Sequence, residues 1–89
     1  MNWFKITTDD GSDKIYTYVG ASNDTLDMLT RKASRGEYVC LTDLLYWDKE
    51  EIKPWSEWDK SLIPTVCINP SKIYSILQFK GDPRVTPYK

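Results

Sequence analysis

Two β-rich runs, NWFKITT (2–8) and KIYTYVG (14–20), flank the turn-forming stretch DDGSD. So short a link, with Gly11 free to take positive φ, sends the second run back along the first as an antiparallel hairpin. Phe4 and Ile6 share one face of the first strand. Ile15, Thr17 and Val19 share one face of the second, and Tyr16 and Tyr18 point the other way. The acidic turn lacks the alternating ligands and distal Glu of an EF-hand, so turn chemistry accounts for it.

The next segment, ASNDTLDMLTRKASRG (21–36), carries helix signals at both ends. Asn23 or Asp24 can cap the start. Asp24 and Asp27 lie early and Arg31, Lys32 and Arg35 late, which opposes the helix dipole at each terminus. Asp27 and Arg31 form an i,i+4 pair, and Gly36 suits the C′ position. Leu26, Leu29 and Ala33 make a narrow apolar stripe, so one helix face packs on a sheet.

EYVCLTDLLYW (37–47) predicts a third strand, whose alternation slips at Leu44-Leu45 as at a bulge or a strand end. Residues 48–60 then hold five acidic and three basic side chains and read as a solvated connection. A short helical turn near SEWDK, capped by Ser56, is compatible with it. LIPTVCIN (62–69) predicts a fourth strand, with Pro64 confined to a sheet edge or the strand start. NPSK forms a turn, and IYSILQF (73–79) is the fifth strand. The order is β-β-α-β-β-β. Residues 1–80 make one domain, and 81–89 an extended tail that frays unless Val85 or Tyr88 docks.

Eighty-nine residues leave room for one core. A core that small needs large side chains. Aromatics at 13% supply them, each ring removing roughly 150–250 Å² from water when buried. With 12 basic and 13 acidic residues the chain lacks the cationic excess of a DNA-backbone binder. No stretch is apolar enough for a membrane span, and the N-terminus lacks the features of a signal peptide. The expected setting is the cytoplasm of a bacterium or phage-infected cell.

The chain has no histidine, which removes His-containing triads, His-rich zinc sites and the commonest general base near neutral pH. Cys40 and Cys67 form no CxxC motif, and each sits in an apolar run as a small hydrophobe does. They could meet only if their strands are neighbours. Neither has a visible activating partner. No phosphate-binding glycine motif is present. The expectation is no enzyme, no cofactor and no metal.

The C-terminal third has a distinctive cadence: the strand EYVCLTD, a variable connection, TVCIN, then PSKIYSI. It resembles small SH3-like and Sm-like barrels, including FlbD-like bacterial proteins. In such barrels a 3₁₀ turn joins the last two strands and a following aliphatic side chain plugs the barrel end. Ile73 and Ile76 resemble that I-x-x-I signature. The resemblance implies a small, mostly antiparallel, barrel-like α+β sheet of five strands with one helix after strand 2. An open sheet of four or five strands carrying the helix on one face is the alternative. An interaction role is common among such folds, though fold does not fix function.

Three tryptophans, Trp47, Trp55 and Trp58, lie in or beside the charged segment, with Tyr46 adjacent. Either they close over the core or they form a contact surface for another protein, since Trp and Tyr carry much apolar area on few rotors. Trp58, flanked by charges, is the one expected to be exposed. Two further roles compete. A single-stranded nucleic-acid binder would stack bases on Tyr16, Tyr18 and Tyr38 and hold phosphates with Arg31, Lys32 and Arg35. A structural subunit would form a homodimer through a strand edge or the tryptophan loop.

Overall fold

The elements, in a computed structural model that describes residues 1–12, 14–61 and 63–85, are β1 (Asn2–Asp9), β2 (Ile15–Ser22), α1 (Leu26–Ser34), β3 (Val39–Asp48), β4 (Glu51–Pro54), α2 (Trp55–Trp58), β5 (Val66–Ile68) and β6 (Ile73–Gln78). The β1–β2 ladder runs unbroken from Asn2 opposite Ser22 to Asp9 opposite Ile15. Its turn is closed by side chains. The Asp9 carboxylate accepts from the Gly11 N–H (2.8 Å), the Asp10 carboxylate accepts from the Ser12 N–H (2.9 Å), and Gly11 takes φ +81°.

β6 pairs antiparallel with the other edge of β1, and β3 joins β2. The far edge of β3 is divided. Leu45–Asp48 pair with β4, and Val39–Leu41 pair with β5. The bulge behind this division lies between Thr42 and Leu45, where β3 uses one residue more than β2 and Asp43 adopts φ +51°. It is the slip that Leu44-Leu45 betrays in the sequence. Both leucines are buried because strand alternation sends them to opposite faces, each covered by an apolar cluster, and the bulge is what lets Leu44 share the face of Leu41.

The main cluster holds Phe4, Ile6, Leu29, Val39, Leu41, Leu44 and Ile68, with Tyr18, Leu26, Ala33, Trp55, Ile73 and Ile76 packed around them. A smaller cluster on the other side of the sheet holds Trp3, Val19, Ala21 and Leu45, with Ile52 and Phe79 against it. Trp3 therefore alternates away from Phe4 and lies on the face opposite the helix. Past β6 the chain docks there. Pro83 is buried, and the Arg84 guanidinium sits 5.0 Å from the Trp3 ring centroid while binding the Asp82 carboxylate at 2.7 Å. Val85 is exposed, and Tyr88 lies outside the described residues.

α1 begins later than the sequence suggests. Residues 21 and 22 belong to β2, where Ala21 is fully buried in the smaller cluster. The N-cap is Thr25, whose Oγ1 accepts from the Met28 N–H, and the Asp24 carboxylate binds Lys32 instead. At the other end Glu37 N–H reaches Lys32 O and Gly36 N–H reaches Ala33 O, with Gly36 at φ +77°, a Schellman closure. Leu29 is fully buried beneath the helix.

Among the described residues the architecture corrects the expected one on three points: the sheet has six strands rather than five, it carries two helices rather than one, and it is not closed into a barrel. β5 and β6 are joined by a 3₁₀ turn, Pro70–Lys72, capped by Asn69, but they pair with β3 and β1 rather than with each other. α1 packs against β6, the 3₁₀ turn and β3, and its Leu26, Leu29 and Ala33 join the main cluster. Among the described residues no helix is long and apolar enough to cross a membrane.

Candidate functional site

The charged connection is more ordered than its composition suggests. Asp48 and Glu51 pair across a two-residue loop of Lys49 and Glu50, and Trp47 stands opposite Ile52, Tyr46 opposite Lys53, and Leu45 opposite Pro54. Lys49 takes φ +61° to make the turn. The Lys53 ammonium bridges Asp48 at 2.9 Å and approaches Glu51 at 3.8 Å. The hydrogen bond and charge of Asp48, reinforced by Glu51, raise the Lys53 pKa above its ordinary value. A shallow depression at this tip is lined by Asp48, Lys49, Glu50, Glu51 and Lys53, all of them ionic.

Pro54 leads into α2, a single helical turn closed by Asp59 N–H donating to Trp55 O. Trp55 roots that turn. Its ring packs on the main cluster, and its Nε1–H donates to Leu45 O at 3.1 Å. Trp58 stands edge-on to Trp55, with ring centroids 6.2 Å apart and planes at 71°, and remains 67% exposed. Downstream, the Asp59 carboxylate accepts from the Ser61 hydroxyl and N–H, which lowers its pKa.

The four aromatic candidates thus separate. Trp55 and Trp58 form one pair on the main-cluster side. Trp47 shares the strand face of Leu45, on the side of the smaller cluster, and is 44% exposed. Tyr46 is half-buried on the intervening face. The question of lid or contact surface therefore has a different answer for each ring. Trp55 covers the core, while Trp58 presents its ring to solvent.

The candidates for nucleic-acid binding are dispersed. Tyr18 packs on the main cluster opposite Ile6, Tyr16 is exposed two pairs further along the β1–β2 ladder, and Tyr38 is exposed just before β3. Each basic head on α1 meets a carboxylate: Arg31 meets Asp27 at 2.9 Å, Lys32 meets Asp24 at 2.6 Å, and Arg35 meets Glu37 at 2.9 Å.

Cys40 lies directly opposite Cys67 in the β3–β5 ladder, with Cα atoms 4.0 Å apart, and the two form a disulfide. Both are exposed, whereas their neighbours Val39, Leu41 and Ile68 are buried. The available sequence signal was positional: each cysteine sits mid-strand between apolar residues, and the pairing of those strands brings them together. No protein-family model, curated protein or solved structure matches the chain.

Proposed function

We propose that the chain is a small non-enzymatic module that binds another protein through α2, with Trp58 as the principal contact and the β3–β4 hairpin beside it. One observation carries this reading: Trp58 is largely exposed yet stands edge-on to Trp55, which is itself half-buried against the core and hydrogen-bonded to Leu45 O. An exposed indole held in place loses little conformational freedom on binding, which favours affinity. Glu57, Asp59 and Lys60 around it supply a charged rim that can set specificity. The cytoplasm of a bacterium or phage-infected cell is the setting proposed. Kinship with SH3-like and Sm-like proteins is also part of the proposal. It draws support from the final strand following a 3₁₀ turn and crossing back to the first strand.

The test is capture of partners from the native host by the wild-type chain and by Trp58→Ala. We expect Trp58→Ala to retain the wild-type urea midpoint and to lose the partner. A folded Trp58→Ala protein that keeps every partner would refute the assignment. Nucleic-acid binding stands behind this reading because the α1 cations are already paired.

A second reading, self-association, is favoured by β6. Its sequence IYSILQ has neither charge nor proline, it has one strand neighbour among the described residues, and Tyr74 and Leu77 are exposed. On that reading sedimentation velocity shows a concentration-dependent dimer that Leu77→Lys abolishes. A wild-type chain that stays monomeric across the concentration range would exclude it.

A further inference from the structure

The cross-strand cysteine pair has no part in the surface just described, and its placement bears on a different chemistry. We infer that Cys40–Cys67 is a reversible thiol–disulfide exchange site for small thiols of the glutathione class, and that its state governs how firmly β5 is attached to β3. β5 is three residues long and pairs with no strand but β3 among the described residues. The disulfide sits at the middle of its three pairs, between Val39 opposite Ile68 and Leu41 opposite Val66. Two residues further on, past the Leu41–Val66 pair, the Thr42 and Thr65 hydroxyls share a hydrogen bond of 3.2 Å. Leu44 N–H then reaches Pro64 O at 3.1 Å. The bond is therefore the covalent member of a short clasp.

Two features distinguish it from a buried staple. Both half-cystines lie on the solvent side, open to an attacking thiolate, and exposed disulfides are the more readily exchanged. The core side of the same strands is apolar and buried through Val39, Leu41 and Ile68, so hydrophobic packing remains when the bond is cut. In the proposed cytoplasmic setting a disulfide of this sort is more often transient than permanent.

The exchange proceeds in two steps. A thiolate RS⁻ attacks one Sγ, the protein S–S bond breaks, and the departing cysteine thiolate takes a proton from water. A second RS⁻ then attacks the outer sulfur of the mixed disulfide, freeing the other cysteine as its thiolate, which is protonated in turn, and RSSR leaves. The protein disulfide gains two electrons and two protons while two RSH are oxidised to RSSR. The chain between the two cysteines includes β4 and α2, so reduction frees one end of the segment that bears Trp55 and Trp58. This inference stands whether or not Trp58 binds a protein.

The full chain is to be equilibrated without denaturant in mixtures of reduced and oxidised glutathione. Thiol alkylation with mass spectrometry then reads the redox state, and hydrogen exchange reads local opening. We expect reversible interconversion, a reduced chain that keeps its circular dichroism, and amide exchange at residues 66–68 faster by roughly tenfold or more, with β1 unchanged. Cys67→Ser should show the same fast exchange and should take up one glutathionyl group at Cys40. Resistance to glutathione, global unfolding on reduction, or unchanged exchange at 66–68 would each overturn the inference.

Discussion

Trp55 shows how one side chain can be anchored by a single polar contact within an apolar seat. Replacing it with Phe keeps much of the ring packing but leaves Leu45 O without its indole donor. Trp55→Phe is therefore expected to cost about 1–3 kcal/mol, measured by urea denaturation. Trp58→Ala, at an exposed position, is expected to stay within about 0.5 kcal/mol of the wild type. Acrylamide should quench Trp58 and spare Trp3, which is 8% exposed. Gly20 is constrained differently. A Cβ there would lie 2.9 Å from Thr42 O and 3.0 Å from Leu44 Cδ2, so Gly20→Ala should destabilise the fold by about 1–3 kcal/mol. The exposure of Trp58 was legible in sequence because charged residues flank it. The seat of Trp55 was not, because it depends on Leu45, brought near only when β3 and β4 pair. The disulfide was hidden for the same reason, since partnership across a sheet leaves no local mark.

Among the elements, the bulge in β3 has the widest effect. Asp43 holds a left-handed backbone conformation that a β-branched residue adopts only under strain. Asp43→Val should cost about 1–3 kcal/mol, whereas Asp43→Gly should match or exceed wild-type stability; urea midpoints of the two variants decide the matter. The β1–β2 hairpin was legible because DDGSD is turn chemistry with alternating β-formers on both sides. The end of α1 was legible through Gly36. Its start was displaced because Asn23, Asp24 and Thr25 are all capping types, and the length of β2 selects among them. β4 escaped notice because its loop is Lys-Glu rather than Asn-Gly or Asp-Gly, and because ionic residues mask the Trp47–Ile52 pair.

For the molecule as a whole, stability should fall at both ends of the pH scale. Asp82 is held below the ordinary carboxyl value of 3.8 by its hydrogen bonds to Arg84, and Asp10 and Asp59 by hydrogen bonds from Ser12 and Ser61. These groups bind protons less readily folded than unfolded. Their contribution is complete above 3.8 and is lost as pH drops through the lowered folded values. Lys53 is shifted upward from 10.5, so its contribution is complete below that pH and is lost as pH rises through the raised folded value. Urea midpoints across pH should trace both limbs, with Asp82→Asn flattening the acid one. The antiparallel α+β class was legible from the order of elements. The open sheet was not, since it depends on which edges β5 and β6 pair with. The divided edge of β3 has a further consequence. Because one strand changes partner at its bulge, an insertion directly after Ser61, between the core-seated Trp55 and the Pro64–Thr65 contacts to β3, should leave both sets of pairings in place. Foreign peptides grafted there should leave the scaffold intact, which makes this the natural place for an engineer to add a binding segment.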